Sequence, residues 1–254
     1  MVPRPYILAE TTWQAVKARA IEVVVLPWGA TEAHNYHLPY GTDNLQCDYV
    51  AAEAARIAWE QGASVMVLPT IPFGVNTGQL DITLDMNLNP STQLAVLRDM
   101  VQVLARQGIA KLLVLNGHGG NDFRQMMREL QAEFPTVFLC TVNLFHVVDR
   151  HQYFSASGDH ADELETSAML HIAPHLVRPL SEAGEGHGKR FRIKALREWA
   201  WAQRQWSHVT TDTGVGNPMA ATAEKGQAFL QALTAQLGHF LVELAAADPQ
   251  DMYE

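Results

Sequence analysis

Three stretches of this chain concentrate side chains that bind cations and move protons. The first runs Trp28-Gly-Ala-Thr-Glu32-Ala-His34-Asn-Tyr-His37-Leu-Pro-Tyr-Gly-Thr-Asp43. Glu32 and His34 stand two residues apart, so in an extended segment both side chains leave the backbone on the same side. Asp43 follows a loop with Pro39 and Gly41 that is long enough to fold back. Carboxylates mixed with imidazoles, without cysteine, suit a divalent ion such as Zn²⁺, Mn²⁺ or Fe²⁺. A carboxylate between two ligand pairs can bridge two ions roughly 3.5–4 Å apart, the spacing that activates water against a carbonyl or phosphoryl group. The second stretch is Asn116-Gly117-His118-Gly119-Gly120-Asn121. Its glycines permit a tight turn. They could expose His118 and leave amide N–H groups free at a helix start, where an anion is stabilised.

The third stretch, Gly158-Asp159-His160-Ala161-Asp162-Glu163-Leu164-Glu165-Thr166-Ser167, reads first as a helix start. Asp159 suits an N-cap, and acidic residues in the first turn complement the helix dipole, which accounts for Asp162 and Glu163. Glu165 and His160 fit that reading less well. Glu165 lies beside Leu164 and Ala168 and would be partly buried, where a carboxylate needs a cation or several donors.

Plainer readings stand beside these. A lone E-x-H triplet often arises by chance. His37 and Tyr36 read equally as loop packing, and N-G-H-G-G-N alone could be a helix cap or a metal-free phosphate cradle. His171 and His175 flank Pro174 and read as surface or helix-end residues. Gly184-Glu-Gly-His-Gly-Lys189 lacks the spacing and the preceding strand of a phosphate loop, leaving a lid or plain flexibility. Trp199, Trp201 and Trp206 could close over a flat ring or pack a subunit interface.

Parallel strands with intervening helices would position these groups. Short apolar runs at 21–26, 64–68, 111–115 and 136–142 lack alternation, as strands buried on both faces do. Helical patterns lie at 44–61, from Pro90 to a C-cap at Gly108, at 121–134, at 160–172 and at about 220–247. That order predicts right-handed crossovers and an α/β/α sandwich with a mostly parallel central sheet. Ligands of such sheets bind beyond the carboxyl ends of the strands, where the first two stretches fall. No repeat or linker marks a boundary, so one domain over 1–254 is the simplest reading.

Composition narrows the function classes. Eighteen basic and 27 acidic residues leave a net charge of −9, with no basic run for a nucleic-acid or membrane-surface partner. Hydrophobic residues at 48% exclude a disordered chain. Cys47 and Cys140 form neither a C-x-x-C nor a disulfide framework. With no leader pattern and no long apolar span, the expectation is a cytoplasmic protein.

Together the three segments resemble the creatininase family, that is, creatinine amidohydrolase and its relatives. Pro27 to Asp43 follows a P-x-G-[ST]-x-E-x-H-x-x-H-L-P-x-x-T-D pattern, with Ala30-Thr31 ahead of Glu32. Asn116 to Asn121 matches an N-G-H-x-x-N turn, and His160 to Ser167 matches H-A-x-x-x-E-T-S before a hydrophobic helix and Pro174. Gly214 to Gly226 matches a later glycine, proline and A-T-x-E-K-G element. The resemblance implies a metal-dependent amidohydrolase with a dinuclear site (Zn, Mn or Fe), usually a hexamer. By position, Glu32, His34, Asp43 and His118 are then ligands, with Asp43 bridging. His160 assists proton transfer, and Glu165 completes or supports the metal shell and is counted with the catalytic residues.

Two departures stand out. Members acting on creatinine carry Tyr-Glu inside the second turn, with the Glu on the second metal, where this chain has Gly119-Gly120. The second ion would then take another ligand, such as Glu165, or be weakly held or absent. Gly78-Gln-Leu-Asp81 also stands where relatives show a proline-glycine-threonine turn. Both departures count against creatinine as the substrate. Relatives with the glycine version include deformylases of formylamino-pyrimidines and enzymes acting on small peptides. The expected activity is hydrolysis of a C–N amide, cyclic amide or formamide bond of a small molecule by metal-activated water. One alternative is a non-catalytic metabolite-binding protein. Another is a phosphoesterase, which should show more Lys or Arg near the rim than either loop supplies.

Overall fold

The computed structural model describes residues 2–156 and 158–254. Among them four strands form one parallel sheet: β1 Val23–Trp28, β2 Val65–Val67, β3 Lys111–Asn116 and β4 Phe138–Asn143, in the order β2-β1-β3-β4. The α-helices are α1 Trp13–Lys17, α2 Thr42–Glu60, α3 Pro90–Arg106, α4 Arg124–Glu133, α5 Glu163–Ile172, α6 Ala195–Glu198, α7 Trp206–Val209 and α8 Ala223–Ala246. Among the described residues, no helix is long and apolar enough to cross a membrane.

The unbroken apolar runs have a direct physical cause. Successive strand side chains point to opposite faces, and both faces of this sheet are covered. Val23 and Val25 of β1, with Leu113 and Leu115 of β3, enter a core closed by α2, α5 and α8. Val24, Leu26 and Trp28, with Leu112 and Val114, enter a second core closed by α3 and α4. This is the predicted α/β/α sandwich with a parallel sheet. At the amino end of β3 the buried Lys111 ammonium donates to the Leu244 and Ala245 carbonyls (2.9 and 2.6 Å), satisfying the C-terminus of α8.

Several boundaries differ from the sequence reading. β1 continues through Pro27 to Trp28, because the Pro27 carbonyl still accepts from Ile71 N–H and its missing donor costs no ladder bond there. α2 starts at Thr42, two residues early, which places Asp43 inside its first turn. α4 starts at Arg124 rather than Asn121, because the Asn121 amide is engaged in bracing the preceding turn. α5 starts at Glu163, and its N-cap is Asp162 rather than Asp159. Asp162 accepts from Leu164 and Glu165 N–H, whereas Asp159 pairs with Arg204. Gly108 does follow α3 with φ 72°, as a helix stop requires.

α8 packs on α5 at very short range. A Cβ at Gly226 would lie 1.9 Å from the Ser167 carbonyl oxygen. Lys225 reaches the fully buried Glu163 carboxylate (2.6 Å), and Ser167 Oγ accepts from Thr222 N–H. Gly226→Ala should therefore cost about 1–3 kcal/mol through overpacking. Calorimetry should show a fall in Tm of several degrees, whereas an unchanged Tm would mean that α8 does not rest on α5 this closely.

Candidate metal centre

The carboxyl ends of β1 and β3 and the start of α5 deliver their polar residues to one point. Glu32 and His34 lie in the irregular segment after β1, Asp43 in the first turn of α2, and His118 in the turn after β3. His160 precedes α5, and Glu165 sits in its first turn. All six are buried, and all but His34 line one cavity of about 1580 Å³.

Asp43 stands at the centre. Its Oδ1 lies 3.0 Å from His34 Nε2, and its Oδ2 lies 3.0 Å from His118 Nδ1. Glu32 Oε1 is 3.0 Å from His118 Nδ1, 3.7 Å from His160 Nδ1 and 3.9 Å from His34 Nε2. Glu165 Oε1 is 3.9 Å from His34 Nε2. Three groups bring their donor atoms within 4.8 Å of one another: Glu32–Asp43–His118, His34–Asp43–Glu165 and Glu32–His34–His160. The first two share Asp43, one oxygen toward each, which is the geometry a bridging carboxylate needs.

Backbone carbonyls orient each imidazole. His34 Nδ1 meets the Glu32 carbonyl (3.0 Å), His118 Nε2 the Val75 carbonyl (3.1 Å) and His160 Nε2 the Ala33 carbonyl (2.8 Å). A carbonyl only accepts, so these outward nitrogens carry the hydrogens and the inward ones present lone pairs. Each inward lone pair faces carboxylate oxygens, themselves acceptors. Facing acceptors at 3.0 Å cohere only around a shared cation, a proton or a metal ion, and this donor set of imidazole and carboxylate fits a divalent metal.

The titration behaviour expresses the same demand. Burial alone would lower the His34 pKa, but the Asp43 carboxylate beside it, with Glu165 and Glu32, raises it to about 10. Burial is likewise outweighed at His118, which Glu32 and Asp43 hold well above the ordinary value. Glu32 is held far below the carboxylate range by the histidines despite its burial. Glu165 goes the other way: burial, reinforced by Asp43 and Asp162, lifts it to about 8. Burial, with His34 alongside, lowers His160, leaving it a neutral imidazole at neutral pH.

Residues 74–88 supply an outer layer that sequence reasoning missed. Val75 gives its carbonyl to His118, the buried Gln79 donates from Nε2 to Glu32 Oε2, and Asp85 Oδ1 accepts from Ala33 N–H (2.7 Å). The segment registered in the sequence only as a departure from a pattern, and a neutral Gln in a loop carries no signal of burial. The Asn121 carboxamide oxygen accepts from Val75 N–H (3.0 Å) and from Gln93 Nε2 (2.8 Å), locking this loop to the His118 turn.

The remaining candidates resolve individually. His37 Nε2 meets Thr166 Oγ1 (2.8 Å), away from the cluster, and burial lowers it to about 4, so it is a neutral packing histidine. His171 ends α5 against the Tyr49 hydroxyl. The loop at 184–189 is irregular and tied to its neighbours at two glycines. Asn35 Oδ1 accepts from Gly184 N–H, and Asp212 Oδ2 accepts from Gly186 N–H. The tryptophans divide. Trp206 packs 5.0 Å from the His160 ring, while Trp199 and Trp201 are exposed, with Trp201 at the cavity wall. Arg150 and Arg204 also reach that wall, paired with Asp162 and Asp159.

The two turn glycines differ sharply. A Cβ at Gly119 meets nothing within 4 Å, whereas one at Gly120 would lie 2.3 Å from the Val75 carbonyl oxygen and 2.5 Å from His118 Nε2. Gly119→Ala should leave divalent-metal binding unchanged, and Gly120→Ala should weaken it at least about 10-fold by displacing His118. Titration of both variants with Zn²⁺ against a chromophoric chelator reads the difference, and equal affinities would contradict this packing.

Comparison with known proteins is consistent with this architecture. Residues 9–241 match the creatininase (creatinine amidohydrolase) family model. A Bacteroides fragilis protein of known structure, named provisionally as a creatinine amidohydrolase, is 44% identical; the alignment covers 98% of this chain and 99% of that one with a TM-score of 0.92. The creatinine amidohydrolase of Pseudomonas putida is 27% identical over 67% of this chain and 73% of its own length. The mycofactocin precursor peptide peptidase of Mycobacterium tuberculosis is 27% identical over 83% of this chain and 80% of its own. The chain belongs to the creatininase family.

Proposed function

We propose that the protein is a metal-dependent amidohydrolase that opens a C–N amide, cyclic amide or formamide bond of a small molecule. The observation that carries this reading is Asp43, whose two oxygens face two different histidines within a buried cluster of carboxylates and imidazoles. In this reading Glu32, Asp43 and His118 hold one divalent ion. His34, Asp43 and Glu165 hold the other, Glu165 serving in place of the carboxylate that Gly120 cannot supply.

A divalent ion bound there supplies Lewis-acid polarisation of the carbonyl and lowers the pKa of water toward ~7. The residues do the rest. His160, kept neutral by burial, has Nδ1 free to take the proton of the attacking water, and its Nε2–H stays anchored on the Ala33 carbonyl. A C–O bond forms at the substrate carbon, and the oxygen takes up negative charge. Backbone N–H groups of Gly119 and Gly120, on the cavity wall beside His118, stabilise that charge. His160 then passes its proton to the leaving nitrogen as the C–N bond breaks. Trp206 against His160 keeps that ring in place and screens it from solvent.

The substrate class follows from the second turn. Gly119-Gly120 removes side chains that creatinine-hydrolysing relatives carry there, so formamides and short peptides fit better than creatinine. A relative named for peptide cleavage matches across most of both chains, which supports the same direction. A phosphoesterase is disfavoured because Arg150 and Arg204 at the wall are already neutralised by aspartates. A non-catalytic binding protein would not require stoichiometric metal.

Asp43→Asn provides the test. Elemental analysis of protein purified without added metal should find divalent ions in the parent chain and loss of most of them in the variant. Turnover of a panel of lactams, formamides and short peptides should fall to background, with the circular dichroism spectrum unchanged. Full metal content with parental turnover in Asp43→Asn would overturn the assignment.

A further inference from the structure

We infer that Gln79 is a positioning residue that fixes which oxygen of Glu32 faces the metal cluster. The inference rests on the metal reading above and extends it to a residue outside the donor set. Glu32 has two oxygens with different surroundings. Oε1 faces His118 at 3.0 Å, with His160 and His34 at 3.7 and 3.9 Å, whereas Oε2 accepts a hydrogen bond from Gln79 Nε2. The bond to Oε2 resists rotation of the carboxylate and keeps Oε1 as the oxygen turned toward the histidines.

The orientation of Gln79 is itself determined. Its Nε2 also donates to Asn76 Oδ1 (3.2 Å), and both contacts require N–H groups because Glu32 Oε2 and Asn76 Oδ1 are acceptors. A flipped carboxamide would set its oxygen against both. Asn76 is held in turn, its N–H donating to Asn87 Oδ1 (2.8 Å) and its side-chain amide to the Met86 carbonyl (3.2 Å). Gln79 N–H bonds to the Asn76 carbonyl (2.9 Å), closing the turn that carries the side chain.

A strap from the far side pins this turn. Trp206 N–H donates to the Gly78 carbonyl (2.9 Å), and Gln205 Nε2 to Asp81 Oδ1 (3.0 Å). A Cβ at Gly78 would lie 2.2 Å from the Arg204 carbonyl oxygen, so the two segments touch backbone to backbone. Gln79 is therefore fixed on the same strap that presses Trp206 onto His160, and the donor that aims Glu32 shares its support with the ring that moves the proton. Gln79 itself is 3% exposed, and its Oε1 has no protein partner. A buried amide with half its hydrogen-bonding capacity unmet carries a cost of burial that the contact with Glu32 offsets.

Zinc binding to the full chain tests this, with Zn²⁺ alone as the probe in competition with a chromophoric chelator. Gln79→Met keeps the length and volume and deletes the donor, and Gln79→Glu keeps the shape and removes the N–H. Both variants should bind Zn²⁺ about 10- to 100-fold more weakly than the parent chain, the range for loss of a partner behind a metal ligand. The Tm of chelator-treated Gln79→Met should stay within a few degrees of the parent, which separates positioning from a general loss of fold. If the parent binds Zn²⁺ and both variants match it within threefold, Gln79 does not position Glu32. If the parent binds no Zn²⁺, the metal reading fails and this inference with it.

Discussion

Everything at this site depends on like-natured atoms being forced together. Carboxylate oxygens and imidazole lone pairs meet at about 3 Å among buried residues, an arrangement that costs several kcal/mol per group unless a cation neutralises it. The fold sustains it because each histidine is anchored from behind by a carbonyl that cannot yield a proton, at Glu32, Val75 and Ala33. Those carbonyls belong to the peptide chain at the ends of β1 and in the loop packed across it. Binding affinity for a cation is in this sense stored during folding, since the repulsion is already built in when the ion arrives.

The two departures from the family pattern are one structural fact. Gly120 lies against the Val75 carbonyl, the same carbonyl that orients His118. A side chain at 120 and this path of residues 74–79 exclude each other. Once the loop adopts this path, a carboxylate from position 120 is sterically forbidden, and the loop brings Gln79 to Glu32 instead. Glu165 is the buried carboxylate whose donor atom groups with those of His34 and Asp43, and its burial raises its pKa to about 8. Gly120, the path of the loop and the contact of Gln79 with Glu32 are thus parts of one packing arrangement.

Much of this was legible in the sequence, and the limits were physical. Unbroken apolar runs announced strands buried on both faces, and E-x-H, the distal Asp and the N-G-H turn announced the cluster, because spacing and residue type carry that information directly. Gln79, Asp85 and the Val75 carbonyl were not legible. Their importance comes from contacts between irregular segments with no periodicity, and a backbone carbonyl has no letter at all. The misplaced N-cap has a related cause. Asp159 and Asp162 are chemically equivalent caps, and Arg204 at 2.8 Å from Asp159, across 45 residues, is part of the native arrangement that separates them.

The third motif shows how one helix serves chemistry and framework with alternate residues. In Glu163-Leu164-Glu165-Thr166-Ser167, Glu165 points to the cluster and Leu164 into the core beside α8. Glu163 is bound by Lys225, Thr166 by His37 and Ser167 by Thr222 N–H. All three partners come from segments that resemble family signatures in their own right, His37 from H-x-x-H and Thr222 and Lys225 from A-T-x-E-K-G, so both patterns carry structural roles. An amphipathic helix could have met α8 through apolar residues alone. Polar partners at three positions of one face, spaced i, i+3 and i+4, fix its rotation as well as its depth, and rotation decides where Glu165 lies: one residue occupies about 100° of helix, so a small turn of α5 would carry that carboxylate out of reach of His34.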